Sequence, residues 1–339
     1  MQLSQAYTTL GSIQEKPNPL DYISDIISFL LVAKQTDVLC RLQHAVSKGK
    51  ASSIDVGGDM GIHSALFSLS VEGFSPPHVV DIRNRVHMLD LQLLSRILLG
   101  AWEEVSFSNA IDMYKRTWGS EICTETLSAM QLKIRSGISP KTPNHVESNF
   151  FGYNPVGQPV HLISSFSSLD YFRIDDFLAK CRSIQETGGL LLLWIPSLLF
   201  HFNCAGFLID GVISAPVSLS LDELFIKSSL ISHERLLSSR IESFINYQLG
   251  QGAMSLHNYT AKLLENGYTV INAVKYPVAI YHRSSKMYVL NHYNTYSAFS
   301  KESIQHCLSS IRRINSYLGP VDINDIFSPY YYILAEKVG

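Results

Sequence analysis

The order of apolar and polar positions predicts strands that alternate with helices along most of the chain. Short apolar runs predict strands at 53–56, 78–82, 146–151, 160–165, 190–195, 268–281, 286–292 and 330–337. Apolar residues at helical spacing predict helices at 20–48 (one long helix or two short ones), 62–70, 88–99, 175–185, 220–249, 255–266 and 301–317. The Gly188-Gly189 pair is expected to close the helix at 175–185. This alternation predicts an α/β fold with a mostly parallel sheet and right-handed crossovers.

The stretch SIDVGGDMGIHS, residues 53–64, is the most informative part of this pattern. It begins as a buried strand and ends as a helix, with Gly57, Gly58 and Gly61 between them. Glycines allow a sharp turn and a close approach by a ligand, and the following helix N-terminus favours negative groups. The spacing fits neither the G-x-G-x-x-G dinucleotide motif nor a phosphate-binding P-loop. Ligands of parallel sheets bind beyond the carboxyl ends of the strands, which is where this turn lies.

The segment DVGGDMG resembles the first motif of class I S-adenosylmethionine-dependent methyltransferases, D/E-x-G-x-G-x-G, and is similar to the DVGGGxG variant of O-methyltransferases. Asp59 stands where that family usually has its middle glycine. Aspartate tolerates left-handed backbone better than most residues, so the turn can survive this change. A glycine turn after a strand also occurs in many α/β proteins for packing alone.

Four further segments resemble later parts of the same family. Asp81 ends the second predicted strand, 26 residues after Asp55, where the family has an acid that accepts hydrogen bonds from ribose hydroxyls. The run from Pro159 to Tyr171 resembles the family's fourth strand, with His161 in place of the usual aspartate. Residues 188–192 and 328–337 resemble its fifth strand and its terminal strand. The resemblance covers residues 50–195 and 255–339.

The resemblance implies a Rossmann-like, mostly parallel seven-stranded sheet with helices on both faces, and S-adenosyl-L-methionine as cofactor. The residues that it implies for cofactor binding are Asp55, Gly57, Gly58, Asp59, Gly61, Asp81, Ile82, Asn149, Phe150, Ser164 and Ser165. Added segments are a helical N-terminal cap at 1–49, a helical insertion at 100–144 and a lid-like stretch at 197–250. The function implied is methyl transfer to an oxygen, less readily to a nitrogen, of a small molecule.

Candidates for catalysis follow the predicted fourth and fifth strands. Methyl transfer to a hydroxyl needs close positioning and a general base, commonly His, Asp or Glu. Asp170 is the first candidate base, with helix capping as the alternative, and Tyr171 beside it is expected to position the substrate. His201 is the second candidate, with a structural role as the alternative. No metal-ligand spacing is present, so no metal is expected.

Composition narrows the class of protein further. The net charge is −2 and no basic stripe appears, which argues against nucleic acid as a partner. The five scattered cysteines suggest reduced thiols in a cytoplasmic protein. Residues 188–209 are apolar enough to imitate a membrane span, but a buried strand followed by a loop is the preferred interpretation, so no membrane is expected. The added helices could build a homodimer interface. The alternatives to a small-molecule enzyme are an inactive methyltransferase-like scaffold and a protein or RNA methyltransferase.

Overall fold

The computed structural model describes residues 19–50, 52–100, 123–155, 159–166, 168–169, 172–196, 255–275, 279–282, 287–292, 295–300 and 330–339. Its helices are α1 (Pro19–Thr36), α2 (Val38–Ser47), α3 (Ile62–Ser70), α4 (Leu91–Leu98), α5 (Thr124–Arg135), α6 (Ile174–Ile184) and α7 (Leu256–Glu265). Its strands are β1 (Ser53–Val56), β2 (His78–Asp81), β3 (His145–Glu147), β4 (Val160–Phe166), β5 (Gln185–Pro196), β6 (Tyr268–Lys275), β7 (Ala279–His282), β8 (Met287–His292), β9 (Thr295–Ser300) and β10 (Tyr330–Lys337).

Seven of these strands form one sheet in the order β3-β2-β1-β4-β5-β10-β6. The pairs among β1 to β5 are parallel, whereas β10 is antiparallel to both β5 and β6. The prediction of a mostly parallel seven-stranded α/β sheet is therefore confirmed. The last strand, β10, lies between β5 and β6 and is antiparallel to both. The strand order turns back between β1 and β4, and this switch point is where open α/β sheets bind ligands.

Both faces of the sheet are buried, which explains the continuous apolar runs of β5 and β10. Along β5, Leu190, Leu192 and Trp194 contribute to one hydrophobic cluster, and Leu191, Leu193 and Ile195 contribute to the other. Helices α1, α3, α4 and α5 cover the first face, and α6 and α7 cover the second. Helices on both faces are thus confirmed.

Helix α1 belongs to the core of the sheet domain rather than standing apart from it. Its buried residues Ile26, Phe29 and Leu30 lie in the same cluster as Leu162 of β4 and Leu192 of β5. Asp37 adopts a left-handed conformation, with φ of 53°, between α1 and α2. The predicted helical segment at 20–48 is therefore two helices.

The predicted helix end at Gly188-Gly189 is wrong. Helix α6 ends at Ile184 and β5 begins at once with Gln185. Val160 pairs with Gln185 but Leu162 pairs with Leu190, so the glycines lie in an irregularity of β5. A Cβ atom on Gly189 would lie 2.7 Å from Gln185 Cγ and 2.9 Å from the Glu186 carbonyl, so crowding inside the strand explains this glycine.

Other differences concern element boundaries. The predicted strand at 146–151 is three residues long, and a 3-10 turn at Phe150–Gly152 follows it. The predicted strand at 268–281 divides into β6 and β7, and β7 pairs with β8 and β9 in a separate antiparallel sheet. In the predicted insertion, residues 124–135 are helical. The predicted helices at 220–249 and 301–317 and the lid-like stretch lie outside the described residues. Within the described ranges, no helix is long and apolar enough to cross a bilayer.

Candidate functional site

The glycine turn joins β1 to α3 at the switch point of the sheet. Gly57, Asp59 and Gly61 all have positive φ, at 67°, 48° and 79°. The Gly61 amide donates to the Gly58 carbonyl at 2.7 Å, and the Gly57 amide donates to Val80 O of β2 at 3.0 Å. The turn therefore depends on left-handed backbone at three of its five positions, and one of them is an aspartate.

Crowding from neighbouring groups explains why each glycine of this turn lacks a side chain. A Cβ atom on Gly57 would lie 2.5 Å from Ser168 Cβ, and one on Gly58 would lie 2.5 Å from Asp55 Oδ2. A Cβ atom on Gly61 would lie 2.5 Å from Pro143 Cγ. Such distances are too short for real contacts, so the turn is packed tightly against β1 and two neighbouring loops.

Asp55 lies beneath the turn and is fully buried. Its Oδ1 accepts from Ser164 Oγ at 2.9 Å and its Oδ2 accepts from Ser64 Oγ at 3.2 Å. Burial raises the pKa of Asp55 to about 7, and the nearby charge of Asp81 adds to the rise, while the two serine hydrogen bonds oppose it. The carboxyl group ties β1, β4 and α3 together at the base of the site.

Asp81 and Ile82 lie at the carboxyl end of β2, next to the turn. Asp81 is half-buried, and its Oδ1 accepts from the Arg83 amide at 3.0 Å. The Ile82 side chain is 66% exposed. These two residues present a carboxylate and an apolar surface side by side.

Asp59 and Arg85 form an ion pair across this edge. Arg85 Nη1 lies 3.0 Å from Asp59 Oδ1 and 3.2 Å from Oδ2. Partial burial raises the pKa of the Asp59 carboxyl and Asp81 raises it further, while Arg85 opposes the shift. The pair links the turn after β1 to the loop after β2. Sequence reasoning did not identify Arg85, because its role depends on a contact with a residue 26 positions earlier.

Asn149 and Phe150 follow β3 at the same edge. Asn149 Oδ1 accepts from the Phe151 amide at 3.1 Å and so caps the short 3-10 turn. The Ser148 amide donates to Asp81 O at 3.2 Å, which joins this loop to the end of β2. Phe150 is buried, with its ring centre 5.2 Å from that of Phe177. In this structure, both predicted cofactor residues support the loop.

Ser164 and Ser165 are both fully buried in β4. Ser164 bonds to Asp55, and Ser165 Oγ lies 2.7 Å from Ser168 Oγ, which donates to Val56 O at 2.7 Å. The serines therefore hold β4 and its following loop against β1. His161 lies at the amino end of β4, where its Nδ1 is 2.6 Å from Glu186 Oε1, away from the edge of the turn.

Asp170, Tyr171 and His201, the predicted catalytic and substrate-positioning residues, lie outside the described residues. Their assigned roles stay predictions. Among the residues that the structure does describe, no group of three or more His, Cys, Asp or Glu side chains could hold a metal ion.

His63 is a residue of this edge that sequence reasoning missed, although it lies inside the SIDVGGDMGIHS stretch. It is the second residue of α3 and is buried, and its ring stacks on Phe166 at 3.8 Å between centres. Its Nε2 lies 2.9 Å from Ser28 Oγ of α1. Burial lowers the pKa of His63 to about 3, so the ring is neutral near pH 7. The signal in the sequence was its position two residues after Gly61, the last glycine of the turn.

Comparisons with known proteins were made at three levels. No family model and no curated protein sequence matches the chain. Among solved structures, it is similar to the plantazolicin methyltransferase in complex with SAH, at 10% identity over 94% of this chain and 88% of that one, with a TM-score of 0.40. It is similar to a SAM-dependent methyltransferase from Archaeoglobus fulgidus, at 16% identity over 88% and 93%, with a TM-score of 0.33. A third is geranyl diphosphate methyltransferase in complex with SAM, at 10% identity over 98% and 95%, with a TM-score of 0.36. All three of these solved structures are methyltransferases.

Proposed function

We propose that the chain is an S-adenosylmethionine-dependent methyltransferase that acts on an oxygen, less readily a nitrogen, of a small molecule. The proposal rests on one observation, that three sequence segments resembling this family meet at one edge of the sheet. The glycine turn, Asp81 and the serines of β4 come from three separate family-like segments, and β1, β2 and β4 bring them together at the switch point. The neighbours in complex with SAH or SAM agree with this cofactor.

The residues present fit the parts of this cofactor. Asp81 Oδ2 has no hydrogen-bond donor among the described residues, so it is available to accept from ribose hydroxyls. Ile82 offers an exposed apolar surface beside it, which suits the flat adenine ring. The N-terminus of α3 favours the carboxylate of the methionine part. Asp59 and Asp81 make this edge acidic, which suits a sulfonium cation.

The chain's own residues would bind and orient, while the cofactor, when bound, supplies a methyl group on a positively charged sulfur. Holding the acceptor oxygen in line with that methyl group accounts for much of the rate in such a displacement. The proton of the acceptor hydroxyl would pass to a general base, for which Asp170 and His201 stay our candidates. Helices α1 and α3 close the first face of the sheet at this edge and would help to exclude water.

The test is calorimetric titration with S-adenosylhomocysteine. We expect wild-type protein to bind with micromolar affinity, and Asp81→Ala to bind about 100-fold more weakly, because two charge-assisted hydrogen bonds are lost. The matched control is Glu147→Ala, which removes an exposed carboxylate at the end of the neighbouring strand β3. Wild-type protein that does not bind would contradict the proposal.

A second candidate function is a cofactor-binding scaffold without activity. The observation that favours it is Asp59, whose side chain stands in the turn at the position where the family has glycine. Calorimetry alone does not separate the two functions, because a scaffold can keep the cofactor. Transfer of a labelled methyl group from S-adenosylmethionine to compounds of a small-molecule library would establish the enzyme. Binding without transfer to any acceptor would favour the scaffold.

A further inference from the structure

Asp55 is a fully buried carboxyl group whose hydrogen-bond partners are uncharged. Its side chain accepts from two hydroxyls, Ser164 Oγ at 2.9 Å and Ser64 Oγ at 3.2 Å. Among the residues that the structure describes, no Lys, Arg or His forms an ion pair with it. Buried carboxylates are normally paired with a positive charge, because burial alone favours the neutral acid. Asp55 therefore lacks the counter-charge that would hold it ionised.

The charged groups around Asp55 do not supply that counter-charge. From β2, the negative charge of Asp81 disfavours ionisation of Asp55. In the turn, the charge of Asp59 is paired with Arg85. On α3, the ring of His63 is neutral near pH 7. Burial, with a smaller contribution from Asp81, raises the pKa of Asp55 to about 7, so the neutral and ionised forms coexist near neutral pH.

The hydrogen bonds of Ser164 fit both forms of Asp55. Ser164 Oγ lies 2.9 Å from Asp55 Oδ1 and 3.3 Å from Ile54 O, and a serine hydroxyl has a single proton to donate. When Asp55 is ionised, Ser164 donates to Oδ1. When Asp55 is protonated, its O–H donates to Ser164 Oγ, and Ser164 donates to Ile54 O instead. Rotation of one hydroxyl therefore accommodates the gain or loss of a proton.

Asp55 also lies directly against the backbone of the glycine turn. A Cβ atom on Gly58 would lie 2.5 Å from Asp55 Oδ2 and 2.8 Å from its Cγ, so no side chain separates the carboxyl group from the turn. Electrostatic interactions are stronger through the protein interior than through water. A charge that binds at the turn therefore acts on the ionisation of Asp55.

We propose that Asp55 distinguishes cofactor from product by charge: it loses its proton when S-adenosylmethionine binds and keeps it when S-adenosylhomocysteine binds. This inference rests on the proposed function and extends it to the discrimination between these two ligands. The cofactor has a positively charged sulfur that the product lacks, and this charge supplies the missing counter-charge. The O–H bond of Asp55 breaks and its proton passes to the solvent, while no other bond changes. The product meets a neutral acid and is held less tightly.

The experiment counts the protons that are released on binding. The full chain is titrated calorimetrically with S-adenosylmethionine and with S-adenosylhomocysteine at pH 6.5, in phosphate and in imidazole buffer. Because the ionisation enthalpies of these buffers differ, the difference in heat gives the number of protons released. Most molecules carry the Asp55 proton at pH 6.5, since its pKa is about 7. We expect S-adenosylmethionine to release about half a proton more per site than S-adenosylhomocysteine.

Asp55→Asn tests whether this proton comes from Asp55. The amide keeps the volume and both hydrogen bonds, because its oxygen accepts from Ser164 and its NH₂ group donates to Ser64. We expect the extra release to fall below about 0.1 proton and the preference for S-adenosylmethionine to fall severalfold. Glu147→Gln is the matched control, since it makes the same change at an exposed acid at the end of β3. It should keep the wild-type release.

Ser164→Ala tests the inference even if Asp55→Asn does not fold. It removes a hydrogen bond that favours the ionised acid, so the pKa of Asp55 should rise further. At pH 7.5, wild-type protein has already lost most of this proton and releases little of it on binding. We expect Ser164→Ala to release about twofold more than wild type at that pH.

Two results would overturn the inference: equal proton release for the two ligands, or an extra release that persists in Asp55→Asn. Either result leaves the proposed function standing, because both ligands have then been seen to bind. Failure of wild-type protein to bind either ligand contradicts the proposed function, and with it the role of Asp55 in distinguishing them.

Discussion

The carboxyl edge of the sheet carries two regions with opposite chemistry. At β1 and β2, the edge is acidic and tightly turned, with Asp59 and Asp81 beside glycines that have no space for a side chain. At β4 and β5, it is aromatic, with Phe166 beside Trp194, and among the described residues the buried indole Nε1 of Trp194 has no hydrogen-bond partner. Under the proposed function, the first region would hold the cofactor's ribose hydroxyls. The difference teaches that neighbouring strands of one sheet edge can carry opposite chemistry, acidic at one pair of strands and aromatic at the next.

The largest expected effect comes from filling the turn. Gly61→Ala adds a Cβ that would lie 2.5 Å from Pro143 Cγ, at a φ of 79° that disfavours alanine. We expect it to lower the free energy of unfolding by about 3 kcal/mol, from backbone strain and overpacking together. Urea denaturation measures the loss.

Gly100→Ala is the matched control, because Gly100 has a φ of 73° and nothing within 4 Å of a Cβ position. It should lose only the strain part, about 1–2 kcal/mol. If the two substitutions cost the same, crowding at Pro143 does not constrain the turn.

The second comparison is between two buried titratable residues, Asp55 beneath the glycine turn and His63 in helix α3. The pKa of Asp55 is raised from 3.8 to about 7, so the folded protein keeps a proton that the unfolded chain loses, and stability falls as pH rises from about 4 to 7. The pKa of His63 is lowered from 6.5 to about 3, so stability rises with pH over about 3 to 6.5. In wild-type protein these two contributions oppose each other between pH 4 and 6.5.

Replacing either residue should leave the pH dependence of stability that the other one contributes. Each contributes a slope of at most about 1.4 kcal/mol per pH unit in the window between its two pKa values. Relative to wild type, we expect Asp55→Asn to make the free energy of unfolding rise more steeply from pH 4.5 to 6. His63→Phe should make it fall over the same range. Denaturation curves at several pH values measure both slopes, and unchanged slopes would mean that neither group titrates as described.

The smallest expected effect concerns the residue that departs from the family pattern. Asp59→Gly removes a left-handed aspartate and its half-exposed ion pair with Arg85, so the free energy of unfolding should change by less than about 1 kcal/mol. Because the side chain would no longer occupy the turn, affinity for S-adenosylhomocysteine should rise severalfold. Arg85→Ala is the control that breaks the same ion pair but leaves Asp59 in place. Tighter binding in both variants would assign the effect to the ion pair instead of the side chain at position 59.

Much of the fold was predictable because local signals and burial agree. The strands at 53–56 and 330–337 and the helix at 62–70 have the predicted boundaries, since apolar runs are bounded by glycine, proline or polar residues there. The end of helix α6 at Ile184, ahead of Gly188 and Gly189, was not predictable. That glycine signal is the same for a helix cap and for an irregular strand, and pairing with β4 decides between them.

The sequence by itself determined the α/β class, the left-handed turn after β1 and the acid at the end of β2, because these depend on local backbone preference and on burial of apolar runs. Only the tertiary structure decided that β10 runs against its neighbours, that Asp59 pairs with Arg85, and that His63 meets Trp194. Strand direction is decided by the chain's long connections, and the side-chain contacts join residues 26 to 131 positions apart. Their energies arise only after the sheet has brought those residues together, so no local pattern records them.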